Sequence, residues 1–204
     1  MRHFYVATLA VAACLSLAAQ SPKGWKVRVD ESKNASDPDA AGSVKFVTMG
    51  TGFHATNPQA AVYFNPANTA SGAYTLKGTF VLQKPSGHTN YYGLVFGGSG
   101  LEGANQKYSY FMVAQNGSWM IKTRDGERTG DVGRAVNDAV RKPDASGKST
   151  NALEVRVGAD KIDFVVNGTV VNSQPKSALK TDGIWGARVN HLLEVHIADL
   201  GVSK

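Results

Sequence analysis

Apolar and polar residues alternate one for one along much of this chain, beginning with Trp25-Lys26-Val27-Arg28-Val29-Asp30. A period of two sends successive side chains to opposite faces of an extended strand, so each run needs one dry face and one wet one. The same pattern marks Val44 to Met49, Ala61 to Phe64, Tyr91 to Phe96, Asn151 to Val157 and Leu192 to Leu200. Along Tyr74 to Gln83 it places Tyr74, Leu76, Phe80 and Leu82 on one face. Two Asn-Gly pairs join such runs: Asn116-Gly117 between Tyr108–Gln115 and Ser118–Arg124, and Asn167-Gly168 between Ile162–Val166 and Thr169–Asn172. Asn-Gly suits a type I′ turn, which needs two positive φ angles, so both are read as tight hairpins. Helical spacing is hinted at only over Val132 to Lys142, read as a loop or one short helix stopped by Pro143.

About a dozen short strands with almost no helix predict an all-β fold, a two-sheet antiparallel β-sandwich. The 22 glycines follow no Gly-X-Y period and read as punctuation between strands. No Gly/Ser linker divides the chain, so residues 24–204 are expected to form one domain. Gly97-Gly98-Ser99-Gly100 is read as a mobile loop between strands, since no helix follows it to make a phosphate-binding turn.

The amino terminus reads as an address. Met1-Arg2-His3 supplies positive charge, and Phe4 to Ala19 runs apolar without a charge. That stretch is too short for a membrane span and fits a secretory signal over residues 1–18, cleaved near Ala18. The alternative is a lipoprotein signal, with Val11-Ala12-Ala13-Cys14 as the lipid-attachment motif and Cys14 the anchor. Either way an exported protein is expected, periplasmic or secreted. Cys14 is the sole cysteine, so no disulfide framework is possible.

The formal net charge is +6. Lys122, Arg124, Arg128, Arg134, Arg141, Lys142 and Lys148 are interleaved with Asp125, Glu127, Asp131, Asp138 and Asp144. A scattered excess of this kind reads as a solvated surface and not as a nucleic-acid interface.

Asn151-Ala152-Leu153-Glu154-Val155-Arg156-Val157, followed by Ile162-Asp163-Phe164-Val165-Val166-Asn167-Gly168, resembles paired strands of concanavalin A-like jelly rolls. Gly183-Ile184-Trp185-Gly186, leading into Leu193-Glu194-Val195-His196-Ile197, resembles their closing strands. With Gly50-Thr51-Gly52-Phe53-His54 and the Tyr108–Arg124 hairpin, residues 44–200 are most similar to bacterial exported LamG-like or 3-keto-disaccharide hydrolase-like domains. The resemblance implies a jelly roll; lectins, glycosidases and adhesion modules all use that fold.

Glycosidases need a facing pair of carboxyl groups. The Glu-x-Asp-x-Glu strand of laminarinase-like relatives is absent here. Asp125-x-Glu127 and Asp160-x-x-Asp163 are the nearest groupings, and both read as solvated turn or strand-entry residues. No Gly-x-Ser-x-Gly elbow occurs, so no catalytic residue is assigned. Among His54, His88, His191 and His196 no H-x-H or H-E-x-x-H pattern occurs, and no metal site or cofactor is expected. Calcium suits sandwich lectins, but no loop is read as an acidic cluster.

A two-residue Asn116-Gly117 turn would pair Phe111 with Lys122. Tyr110, Met112, Ala114, Trp119, Ile121 and Thr123 would then face the core. Ser109, Phe111, Val113, Met120, Lys122 and Arg124 would face outward. An open concave face of rings and cations suits a sugar, so Phe111, Lys122 and Arg124, with His54 and Trp185, are the expected ligand-binding residues. The expected function is non-catalytic binding of a carbohydrate or another envelope or extracellular ligand. The alternatives are a glycoside hydrolase acting on keto-disaccharides or glucans, and an interaction module without a small ligand.

Overall fold

The computed structural model describes residues 22–204. The expected signal over residues 1–18, with Cys14, lies outside the described residues. Among the described residues there is no α-helix, only a 3-10 turn at Lys176–Ala178, and none long and apolar enough to cross a membrane.

Fourteen strands among the described residues are divided between two antiparallel sheets of seven. They are β1 (Lys26–Asp30), β2 (Lys45–Met49), β3 (Gly52–Asn57), β4 (Ala60–Ala70), β5 (Tyr74–Lys84), β6 (Tyr91–Ser99) and β7 (Lys107–Ala114). The rest are β8 (Ser118–Asp125), β9 (Arg128–Val136), β10 (Ser149–Val157), β11 (Lys161–Val166), β12 (Thr169–Pro175), β13 (Gly183–Val189) and β14 (Leu193–Ser203). The first sheet runs β1-β4-β13-β6-β7-β8-β9 and the second β12-β11-β10-β5-β14-β3-β2.

Between the sheets lies the dry layer that period-two alternation demands. Tyr74, Leu76, Phe80 and Leu82 of β5 meet Tyr92, Leu94 and Phe96 of β6 there. Trp25 closes one edge, its ring 4.7 Å from Phe53 and 5.7 Å from Phe46. Asn151 is wholly buried and fully bonded: it accepts from Arg141 N (2.8 Å) and Asn167 Nδ2 (2.9 Å) and donates to Arg141 O and Tyr92 Oη.

A second apolar layer lies on the outer face of the first sheet. Phe64, Val95, Tyr108, Tyr110, Met112 and Met120 are nearly fully buried there. Leu101, from the loop after β6, packs onto them, and that loop is held to β1 by Lys26–Glu102 (2.6 Å) and by Arg28 donating to Gly103 O (2.6 Å).

Three local expectations are corrected. The Asn167-Gly168 hairpin is the two-residue turn expected, with Val166 opposite Thr169 and φ of 49° and 84° at Asn167 and Gly168. The Asn116-Gly117 hairpin is not: Val113 pairs with Trp119 and Tyr110 with Lys122, one residue out of the expected register. Gly117 N donates to Ala114 O and only Gly117 has positive φ, at 87°, while Asn116 Oδ1 accepts from Ser118 N (3.0 Å). This is a three-residue loop, a type I turn closed by a left-handed glycine. A shift of one residue turns β7 over relative to β8, so Phe111 and Val113 join Trp119 and Ile121 in the core while Tyr110, Met112 and Ala114 face outward.

Val132 to Val136 belongs to edge strand β9 and not to a helix or loop. Its apolar spacing is distorted by a bulge at Ile121/Lys122, which lets Val132 reach the core. Gly97 to Ser99 is the end of β6 and not a mobile loop. Gly97 has φ of 62° and its backbone lies against the Lys180 carbonyl, where a Cβ would collide.

Candidate functional site

Strand β13 is apolar except for Arg188, which alternation points to the outer face. In register with it lie Arg28 on β1, Val62 on β4 and Gly93 on β6. Gly93 leaves the neighbouring strand bare, and the guanidinium reaches in both directions. It donates to Asp30 on β1 and to Tyr108 Oη on β7 (3.0 Å), and it sits 5.7 Å from the centre of the Tyr110 ring. Arg28 Nε adds a second bond to Asp30, at 3.1 Å.

Burial alone would raise the Asp30 pKa; the charge and hydrogen bond of Arg188, with Arg124 and Arg28, outweigh it and hold the carboxylate below its ordinary range. Burial pushes the Tyr110 hydroxyl up to about 12, against the pull of Arg188. The centre of this face is therefore a fixed cation–carboxylate pair on a neutral tyrosine floor.

Above it passes the segment between β1 and β2. Gln59 Nε2 holds it by donating to Gly42 O (2.9 Å), and Lys33 reaches Glu127, in the β8–β9 turn, at 2.5 Å. Between segment and sheet is a cleft of about 360 Å³, lined by Asp30, Lys33, Arg124, Glu127, Arg188 and Asn190 among others. Arg124 Nε donates to Gly126 O (2.6 Å), which orients its guanidinium; its terminal nitrogens make no hydrogen bond among the described residues. The cleft thus mixes fixed donors and acceptors.

At the cleft's end, three segments distant in sequence converge. His88, between β5 and β6, and His191, between β13 and β14, meet Asp37 from the overlying segment. Their atoms approach closely: His88 Nε2–Asp37 Oδ1 2.9 Å, His191 Nε2–Asp37 Oδ1 3.2 Å and His88 Nε2–His191 Nε2 3.3 Å. His191 Nδ1 lies 2.9 Å from Asp39 Oδ1.

No protein-family model matches the sequence, and no curated protein matches it. Its architecture does have counterparts among solved structures. The carbohydrate-binding module CBM66 from Bacillus subtilis is similar with a TM-score of 0.63 at 9% identity, over 89% of this chain and 96% of that one. A Bacillus subtilis protein of unknown function with a galectin-like fold has a TM-score of 0.62 at 12% identity, over 88% and 89% of the two chains. A putative glycosyl hydrolase from Parabacteroides distasonis has a TM-score of 0.51 at 13% identity, over 88% and 99%. The fold is the concanavalin A-like jelly roll.

The jelly roll separates the five residues expected to bind ligand. Lys122 and Arg124 do point to the outer face of the first sheet, Lys122 paired with Asp131 at 3.1 Å. Phe111 is wholly buried between the sheets, because the hairpin register differs by one residue, and has no surface to offer. Trp185 packs against the same inner layer, its ring 6.5 Å from Trp25. His54 is on the second sheet, opposite His196; burial lowers its pKa, with the Glu194 carboxylate opposing.

Sequence reading did not single out Asp30, Arg188, Asn190 and Asp37 in the cleft, or Arg28 bonded to Asp30; His88 and His191 it weighed as metal ligands and set aside for want of an H-x-H or H-E-x-x-H pattern. Two signals were present: a lone cation inside apolar Gly183–Val189, and four carboxylates (Asp30, Glu31, Asp37, Asp39) within ten residues. The loop had been read as lacking an acidic cluster.

Proposed function

We propose that this protein is exported and binds a saccharide in the cleft under the β1–β2 segment, without cleaving it. The observation that carries the reading is the convergence of Arg124, Asn190, Lys33 and Glu127 on one cleft, beside the buried Arg188–Asp30 pair. Sugar hydroxyls both donate and accept, so a site that alternates amide, guanidinium and carboxylate groups satisfies vicinal hydroxyls at little cost in reorganisation. The buried tyrosines and methionines hold those groups in place and present little ring surface of their own. Jelly-roll neighbours such as the carbohydrate-binding module CBM66 add support from architecture.

Export rests on the amino-terminal sequence, Phe4 to Ala19.

Affinity electrophoresis through a panel of neutral and acidic polysaccharides tests the reading. Retardation by at least one polysaccharide is expected, falling about tenfold in Arg124→Ala. Equal mobility of native and variant protein on every polysaccharide overturns it.

A hydrolytic reading is favoured by one observation, the five carboxylates along the cleft. Hydrolysis needs one of them protonated. Asp30 is held ionised by its arginines, and the Lys33 hydrogen bond and charge lower the Glu127 pKa, so neither suits the acid role. Release of reducing sugar by the pure protein, abolished by Asp37→Asn or Asp39→Asn, would establish hydrolysis instead.

A further inference from the structure

We propose that Asp37, His88 and His191 bind one divalent transition-metal ion, zinc by the character of the donors, with Asp39 holding His191 in its ligating tautomer. The proposal is independent of the saccharide reading.

The geometry is that of a closed triangle of donor atoms. With sides of 2.9, 3.2 and 3.3 Å, a point equidistant from the three atoms lies about 1.8 Å from each. An ion with bonds of about 2.0–2.1 Å would sit about 1 Å above their plane, leaving its far side for a fourth ligand or water. Asp37 and His88 are 42% and 44% exposed in their side chains, so that side is open, whereas His191 is 7% exposed and anchored in the protein.

The hydrogen bonding points the same way. A carboxylate can only accept, so Asp39 Oδ1, 2.9 Å from His191 Nδ1, favours the proton there; in the neutral imidazole Nε2 is then left with its lone pair. That lone pair faces the Asp37 carboxylate oxygen and His88 Nε2. Asn90 Nδ2 lies 3.0 Å from the same His88 nitrogen, which makes that nitrogen an acceptor; an ion would take its one lone pair in place of the amide. Acceptor atoms turned toward one point call for a cation between them. A carboxylate behind a ligating imidazole is also the usual outer partner of a histidine metal ligand.

Two imidazoles and one carboxylate suit zinc and its neighbours; calcium and magnesium take oxygen. The site joins the β1–β2 segment to the β5–β6 and β13–β14 connections, so a bound ion would staple that segment over the cleft.

Calorimetric titration of the EDTA-stripped, untagged full chain with zinc chloride tests the assignment. One equivalent is expected to bind with micromolar or tighter affinity and to raise the melting temperature by several degrees. His88→Gln and His191→Gln should each weaken binding at least 100-fold, and Asp39→Asn 10- to 100-fold at unchanged stoichiometry. Cobalt on the native chain should show the intense visible bands of a low-coordinate site, which keeps the test valid if a variant misfolds. Absence of saturable zinc binding, unchanged affinity in folded His88→Gln and His191→Gln, calcium bound in preference to zinc, or only the pale spectrum of hydrated cobalt would each overturn it.

Discussion

Arg188 of β13 donates to Asp30 of β1 across the whole width of β4, and both side chains are almost out of solvent, at 11% and 9% exposed. The pair ties the edge strand to the middle of the sheet and fixes the floor of the cleft. Removing one partner of a buried pair leaves the other desolvated and uncompensated. Asp30→Asn is therefore expected to cost about 3–5 kcal/mol in urea unfolding. Arg188→Met should cost less, because Arg28 remains bonded to Asp30. The opposite ranking would refute this account of the pair.

The same pair sets an acid limit. Asp30 has a folded-state pKa below its unfolded value, so its contribution is complete above about pH 4 and is lost as pH falls through the lower, folded value. The melting-temperature gap between native protein and Asp30→Asn should be constant from neutral pH to about 4 and should narrow below that. A gap that stays constant at lower pH would show that Asp30 titrates normally.

Two glycines with similar backbone angles should differ sharply on substitution. Gly50 has φ of 59° with open space around it, and Gly50→Ala should cost only about 1 kcal/mol, the left-handed backbone penalty. Gly97, at φ of 62°, lies against the Lys180 carbonyl, so Gly97→Ala should cost at least about 3 kcal/mol or prevent folding. Equal costs in chemical denaturation would mean that the contact between β6 and the segment before β13 yields easily.

Asn151 joins β10 to the Arg141 backbone and the Asn167 turn within the core. Asn151→Ala strands the Arg141 amide and carbonyl, and about 2–3 kcal/mol of stability should be lost in urea unfolding. A loss below about 0.5 kcal/mol would mean that water replaces the side chain.

Much of the fold was legible because alternation is a local property. The runs at Tyr74–Gln83 and Asn151–Val157 carry their own inside and outside, and a sheet must bury the apolar side wherever its partner comes from. Strand β9 was not legible, since a bulge breaks its period. The face of the Tyr108–Arg124 hairpin was misread for a different reason. Asn-Gly fits both a two-residue turn and the last two positions of a three-residue loop, and the choice between them turns one strand over relative to the other, here β7. Arg124 and Lys122 lie on the outer face of the sheet as expected, while Phe111, expected beside them, is buried between the sheets.

By itself the sequence determined two antiparallel layers with a dry space between them, since side-chain period follows from backbone geometry at each strand alone. Only the tertiary structure decided that Arg188 meets Asp30, or that Asp37, His88 and His191 meet one another. Those contacts join residues 51 to 158 positions apart, and sequence separation carries no distance until the sheets have ordered their strands.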